Sequence, residues 1–475
     1  MLGGPMSSDI LEQMAAIVGA KNLVTQADAM VPYLKEWRDL FRGTARAVVR
    51  PGSTAEVAAL VKLAAATGTA LVPQGGNTGL VGGQIPIAEG REIILSLQRL
   101  DKVRSVDPDS DTMTVEAGVT LQRAQDAAEA AGRLFPLSLA SEGSCTIGGN
   151  LSTNAGGTAV LAYGNARELC MGLEVVLADG QIWNGLRSLR KDNTGYDLKN
   201  LFIGAEGTLG IITAAVLKLF PLPAARATAF LAVPSPEAAL ALLNAAKAGA
   251  GGTVTTFELM SRFCIEMVLR HASGARDPLS EPSPWYVLME LSSQSPTGLD
   301  EAAETFLGAA LERGLVTDAV LAGSLGQRAD FWKLREMLSE VQTHEGGSIK
   351  HDVSVPLHAV PAFIARACEV VTAMVSGCRP VPFGHMGDGN IHFNVSQPVG
   401  ADKAAFIARW SEMNAAVHAI VSELHGSISA EHGIGRLKRD LLPGVKDPVE
   451  LALMRTLKAT LDPRGILNPG AVLAD

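Results

Sequence analysis

The hydrophobic pattern of the chain changes period several times, and each change marks an element. Residues 53–68, Ser-Thr-Ala-Glu-Val-Ala-Ala-Leu-Val-Lys-Leu-Ala-Ala-Ala-Thr-Gly, open with a capping pair, Ser53 and Glu56, and stop at Gly68. That spacing predicts a short helix. Thr69-Ala70-Leu71-Val72-Pro73 then predicts a buried strand running into Gln74-Gly75-Gly76-Asn77-Thr78-Gly79. Further strands are expected at 92–97, 112–116, 172–178 and 210–219, with a helix near 120–131. Strands interleaved with helices and glycine turns to about residue 221 read as one α/β unit. Phe220-Pro221-Leu222-Pro223 marks a boundary, after which the glycine loops stop. A strand at 228–233, a helix from Ser235, a strand at 285–292 and helices at 298–313 and 359–375 predict a second, α+β layer domain. The expected divisions are 1–221, 222–425 and a closing segment 426–475.

Period two returns near the C-terminus. Val381-Pro382-Phe383 and Ile391-His392-Phe393-Asn394-Val395 read as strand-like arms joined by Met386-Gly387-Asp388-Gly389-Asn390. In the second arm His392 and Asn394 would share one face, with Ile391, Phe393 and Val395 packing the other. His385 and His392 facing each other across the turn would grip a divalent cation, given a third ligand. Glu431, just before His432 in Ala-Glu-His-Gly-Ile-Gly, is the candidate. The competing reading makes each imidazole a satisfied core residue. Imidazoles with one carboxylate suit zinc, with manganese or iron as alternatives.

Composition narrows the functional classes. A chain of 475 residues is too long for one ordinary core, so two or three domains are expected. The net charge of −9 and the lack of a basic stripe argue against nucleic acid and anionic membrane surfaces as partners. No apolar run is read as reaching the roughly 18 residues of a spanning helix. The N-terminus lacks the basic and apolar regions of a signal peptide, and Met6 would also serve as a start. Cys145, Cys170, Cys264, Cys368 and Cys378 are scattered with no Cys-x-x-Cys, which disfavours a disulfide framework or an iron–sulfur cluster. A reducing compartment follows, most simply the cytoplasm.

Two N-terminal loops concentrate small, donor-rich residues: 73–83, Pro-Gln-Gly-Gly-Asn-Thr-Gly-Leu-Val-Gly-Gly, and 143–157, Gly-Ser-Cys-Thr-Ile-Gly-Gly-Asn-Leu-Ser-Thr-Asn-Ala-Gly-Gly. Any one such loop is explained by tight turns alone. Two strand-adjacent loops point instead to backbone N–H groups converging on a diphosphate. Neither Gly-x-Gly-x-x-Gly nor Gly-Lys-Ser/Thr is present, so a flavin is favoured over a nicotinamide dinucleotide or a P-loop nucleotide.

These loops, with Phe202-Ile203-Gly204-Ala205-Glu206-Gly207-Thr208-Leu209-Gly210, resemble the FAD-linked oxidases of the vanillyl-alcohol oxidase and p-cresol methylhydroxylase family. Gly384-His385-Met386-Gly387-Asp388-Gly389-Asn390-Ile391-His392, Glu431-His432-Gly433-Ile434-Gly435 and Asp462-Pro463-x-Gly-x-Leu-Asn-Pro-Gly resemble its D-2-hydroxyacid dehydrogenase branch. The resemblance covers about residues 42–475. It implies an α+β protein: a two-subdomain FAD-binding domain, an antiparallel-sheet substrate (cap) domain, and a C-terminal segment returning to the flavin. It also implies FAD contacts from Pro73, Gln74, Gly75, Gly76, Asn77, Thr78, Gly79, Leu80, Gly143, Ser144, Thr146, Ile147, Gly149, Asn150, Ser152, Asn154, Gly207, Ile211 and Asn468. Residues 73–83 contain no histidine, so the FAD is expected to be non-covalent.

The implied chemistry is removal of a hydroxyl proton and of hydride from the α-carbon of a 2-hydroxyacid. The resemblance places the metal on His385, His392 and Glu431; such a cation acidifies a coordinated hydroxyl. His432 is then the expected general base, with a fourth metal ligand or a flavin contact as the alternatives. Asn394 would bond the substrate carboxylate or hydroxyl. Alone, Arg335 reads as solvated or paired with its neighbour Glu336; within the family its helix lines the cap-side pocket. Lys350, before x-Asp-Val-Ser-x-Pro, looks like the D-2-hydroxyglutarate dehydrogenases, and Arg335 with Lys350 would clamp a distal carboxylate. Ser339 stands where those enzymes tend to carry threonine, four residues after the arginine. D-2-hydroxyglutarate is the expected substrate, with D-malate, D-lactate or glycolate as alternatives, and a non-catalytic flavin-binding subunit as the rival class. The expected electron acceptor is an electron-transfer flavoprotein or a quinone, and a homodimer is the default assembly.

Overall fold

The computed structural model describes residues 9–87 and 90–474; residues 1–8, read above for a signal peptide, lie outside them. Two compact units are formed. One takes the chain up to Ala155, Asn165–Pro221 and Glu431 onwards; the other takes Gly156–Gly164 and Leu222–Ala430.

In the first unit the helix Thr54–Thr67 forms as its caps dictate. Ser53 accepts from Glu56 N at 3.2 Å, Glu56 accepts from Gly52 N at 2.7 Å, and Gly68 closes the helix at φ 67°. Val57, Leu60, Val61 and Ala64 bury against Leu71, Ile93 and Leu95. The helix carries the chain from Ala47–Val49 to Leu71–Gln74, and both strands pair in parallel with Ile93–Ser96, which lies between them in a four-stranded sheet. The remaining strands depart from a uniform α/β alternation. Val103–Asp107, Thr112–Glu116, Ile211–Lys218, Cys170–Val176 and Ile182–Gly185 form a separate five-stranded antiparallel sheet. No crossover helix intervenes between Asp107 and Thr112, so a tight turn folds those strands back on each other. The C-terminal segment returns to the parallel sheet, where Leu71 N donates to Ile466 O and Asn468 N to Leu71 O, each at 2.8 Å.

The second unit is built on a seven-stranded antiparallel sheet in the spatial order Asp318–Leu321, Ala225–Val233, Trp285–Ser293, Thr253–Ser261, Arg379–His385, Asn390–Ser396, Ser348–Ser354. One face is apolar along its whole width. Leu231, Val287, Leu259, Ile391, Phe393, Val395, Ile349 and Val353 pack there with residues of the helices Pro236–Gly249, Leu299–Glu312, Val360–Met374 and Trp410–Glu423. The opposite face is divided. Phe230, Tyr286, Met260, Val381 and Phe383 pack with the helices Arg262–His271 and Leu325–Glu336, and the remainder of that face is polar.

The segment Leu357–Met374 corrects an expectation. Its mean hydropathy of 1.3 over 18 residues meets the length and composition of a membrane-spanning helix, the one such case among the described residues. Val360, Phe363, Ile364, Ala367 and Val371 lie in the apolar core of the sheet, which accounts for the run as a core helix.

Candidate functional site

In the first unit the two glycine loops are pressed together. A Cβ on Gly76 would lie 1.9 Å from Ser144 O, which closes that position to any side chain, and one on Gly75 would lie 2.3 Å from Thr146 Oγ1, which would have to turn aside. Among the described residues, no backbone N–H from Gly75 to Leu80 donates to a protein acceptor. A run of unengaged N–H groups on a half-buried loop, backed by Ser144 and Thr146, fits the diphosphate of a dinucleotide.

The side chains of these loops do something else. Gln74 Nε2 donates to Tyr33 O and Gln84 O, and Asn77 Nδ2 to Pro32 O and Lys35 O, tying the loop to the preceding segment. Asn77 itself sits at φ 56°. Asn150 points its amide at Cys145, Ser152 bonds Gly148 O, and Asn154 accepts from Arg167 N. Ile147 and Ile211 are buried in the core. Thr146 caps its own helix by accepting from Gly149 N, and Gly207, at φ 71°, leaves room for Pro73. What these loops leave available to a ligand is therefore mainly the main chain. Asn468 is the exception: its Nδ2 holds Gly83 O and Glu206 O, while its buried Oδ1 has no partner among the described residues.

Glu206, which sequence reasoning passed over, anchors the loop bearing Glu431 and His432. It sits at φ 51° and accepts from Ile434 N at 2.7 Å and Gly435 N at 2.9 Å. A Cβ on Gly83 or Gly433 would come within 2.8 Å of its carboxylate. Burial raises its pKa, against the pull of those N–H groups and Lys438. An acid set between two glycines in Gly204-Ala205-Glu206-Gly207 was the available signal. Glu431 Oε1 and His432 Nε2 are 3.9 Å apart, both half-buried.

In the second unit, strand register lays out the polar part of the sheet in rows. Lys350 pairs with Asn394, which pairs with Val381; Asp352 pairs with His392, which pairs with Phe383. Ser354, Asn390, His385 and Glu258 form the next row. Cross-strand partners share a face at about 4.5–5.5 Å, so Lys350, Asp352, His385, His392, Asn394 and Glu258 all project on one side. The expected split of the Asn390–Ser396 strand is present, with Ile391, Phe393 and Val395 in the opposite core. The His385 and His392 rings face each other edge to face, 5.4 Å between centroids.

The partners of these groups come from distant segments. Glu258 Oε1 accepts from His385 Nδ1 at 2.7 Å, and Glu258 Oε2 from Arg335 Nε at 2.6 Å. Burial pushes the Glu258 carboxyl up, but His385 and Arg335 outweigh it and hold the group at about 2. Glu336, the sequence neighbour expected to pair with Arg335, is exposed, and the arginine is committed to Glu258 instead. The guanidinium lies over the Phe383 ring, 4.9 Å from its centroid. Its Nη1 and Nη2 donate to no described residue. Ser339 is exposed while Arg335 is buried, so the two are presented to different surroundings.

Asp352 Oδ1 lies 3.8 Å from His392 Nδ1 and accepts from Asn390 Nδ2 at 3.0 Å. Asn394 Nδ2 donates to Gln342 Oε1, and Gln342 in turn to Ser396. Ala430 N reaches Asp352 O at 3.4 Å, and Glu431 is the next residue. Asp352, Glu258 and Gln342 were not foreseen; only Asp352, two residues after Lys350, stood inside a motif already noted.

Comparison with known proteins decides the family. A model described as "FAD linked oxidases, C-terminal domain" matches residues 222–472, and one for an FAD binding domain matches residues 45–185. The chain belongs to the FAD-linked oxidases. It is 39% identical over 473 residues (98% of this chain, 84% of the relative) to D-2-hydroxyglutarate dehydrogenase, mitochondrial, of Bos taurus. It is 38% identical to D-2-hydroxyglutarate dehydrogenase of Xanthomonas citri pv. viticola, covering 95% of this chain and 94% of that one. In fold it is similar to p-cresol methylhydroxylase, with TM-score 0.77 at 17% identity over 98% of this chain and 96% of that one. The 4-ethylphenol oxidase of Gulosibacter chungangensis gives TM-score 0.73 at 18% identity, covering 100% and 99%. The chain is thus an FAD-dependent dehydrogenase with the α+β architecture of vanillyl-alcohol oxidase-type flavoproteins.

Proposed function

We propose that the protein oxidises D-2-hydroxyglutarate to 2-oxoglutarate. One observation carries the substrate choice: two cationic side chains, Arg335 and Lys350, serve the same sheet face that presents His385 and His392. A monocarboxylate has no distal anion for this pair to hold, whereas a dicarboxylate gives it one. Arg335, tethered through Nε and stacked on Phe383, offers its two amino groups as a fork for the distal carboxylate. Lys350 adds a point charge one row away. Asn394, oriented by Gln342, meets the carboxylate or hydroxyl at the reacting end. The names of the bovine and bacterial relatives support the same substrate.

His385, His392 and Glu431 are proposed to hold a divalent cation, most simply zinc, for which two imidazoles and a carboxylate are apt donors. Because the Glu258 carboxylate only accepts, His385 Nδ1 must donate, which leaves Nε2 as the ligand atom. Such a cation, when bound, would acidify the substrate hydroxyl. His432 is proposed to take the hydroxyl proton, on a loop that Glu206 holds by its backbone. FAD, when bound, would be held through the N–H groups of the 75–80 loop and would supply the two-electron acceptor chemistry. The proposed onward acceptor is an electron-transfer flavoprotein or a quinone.

The test is a substrate panel on the wild type and Lys350→Ala. Loss of one charge-assisted contact should lower kcat/KM for D-2-hydroxyglutarate by about 10–100-fold and leave D-lactate turnover nearly unchanged. Equal effects on both substrates would reject the dicarboxylate reading in favour of D-lactate or glycolate. A D-malate rate matching that of D-2-hydroxyglutarate would widen the specificity to shorter dicarboxylates.

A further inference from the structure

Glu258 has no exposed surface, and a buried charge is costly unless paired. Its two oxygens are divided between two elements: Oε1 accepts a hydrogen bond from Nδ1 of His385, at the end of the Arg379–His385 strand, and Oε2 one from Nε of Arg335, on the Leu325–Glu336 helix. Register seats it directly opposite His385. Arg335 is further fixed from below by the Phe383 ring. A carboxylate needed only to neutralise one cation would leave its second oxygen to water or the backbone. Here each oxygen holds a side chain with a different task.

We propose that Glu258 is a positioning residue that sets His385 and Arg335 together, fixing the imidazole tautomer and aiming the guanidinium fork. This rests on the reading of His385 as a metal ligand and Arg335 as the grip on the distal carboxylate. One buried carboxylate then couples metal affinity to the choice between dicarboxylate and monocarboxylate substrates. The expected signature is a single substitution that damages both while sparing the flavin.

The experiment compares E258Q and E258D with the wild-type holoenzyme. It reads flavin content, zinc affinity by competition with a chromophoric chelator, and the ratio of kcat/KM for D-2-hydroxyglutarate to that for D-lactate. E258Q should keep its flavin, lose zinc affinity about 10–100-fold, and lower the substrate ratio by about tenfold, the scale of one contact to a charged group. A purely structural carboxylate would shift the melting temperature but leave zinc affinity and the substrate ratio at wild-type values, which would overturn the proposal. E258D retains the buried charge balance and so guards against simple misfolding of E258Q. Shorter by a methylene, it serves one partner at most and should fail in at least one of the two readouts; wild-type values in both would overturn the proposal. If the wild type takes up no zinc, the metal reading of the site fails by itself, and the substrate ratio alone decides the role of Glu258.

Discussion

The two units offer different parts of the polypeptide on their candidate surfaces. The glycine loops of the first present main-chain N–H groups, with side chains absent, as at Gly75 and Gly76, or spent on internal bonds, as at Gln74 and Asn77. The second unit presents side chains placed by strand register: Lys350, Asp352, His385, His392, Asn394 and Glu258 on one face of an antiparallel sheet. A backbone site tolerates side-chain truncation but not added bulk. A side-chain site behaves the other way round.

The largest effect is expected where this division is crossed. His432 belongs with the first unit yet is assigned chemistry through its imidazole. His432→Ala should lower kcat by about 10²–10⁴-fold, the usual worth of a general base, with flavin content intact. A kcat within a few-fold of wild type would move the base elsewhere. Next comes Gly76→Ala, whose methyl would meet Ser144 O at 1.9 Å. Forcing the loops apart should destabilise the protein by about 1–3 kcal/mol and release FAD, measured as flavin content and as the denaturant midpoint. Full flavin occupancy and unchanged stability would break the backbone side of the comparison. The smallest effect concerns acid stability of the second unit, where Glu258 and Glu345 are held at about 2 against an ordinary 4.5. Burial raises Glu345, but hydrogen bonds from His271 and Arg379 and the charge of Arg270 outweigh it. Both carboxylates are depressed in the folded state, so their stabilisation is complete above pH 4.5 and fades as pH falls toward about 2. Glu345→Gln should flatten that decline in urea titrations across the same window; an unchanged slope would remove Glu345 from the account.

The same division explains what could be read from sequence. Local devices were legible: the Ser53–Glu56 cap, the alternation that separates His392 and Asn394 from Ile391 and Phe393, and the glycine loops. The five-stranded antiparallel sheet was harder, because single strands carry no mark of whether their partner runs parallel or antiparallel. The partnership of Glu258 with His385 and Arg335 was out of reach. Glu258 stands 127 residues before His385, and nothing near Arg335 signals that it prefers this acid to the adjacent Glu336. Long-range register decides such pairs, and register is a property of the assembled sheet. Glu206 lies between these cases, its motif visible but its hold on Ile434 and Gly435 emerging only once the C-terminal loop is in place.

The most direct measurement is anaerobic mixing of the FAD-loaded, zinc-loaded protein with D-2-hydroxyglutarate in a spectrophotometer. The account predicts that the yellow flavin absorbance bleaches as 2-oxoglutarate forms in equal amount. Colour that persists with this substrate would contradict it.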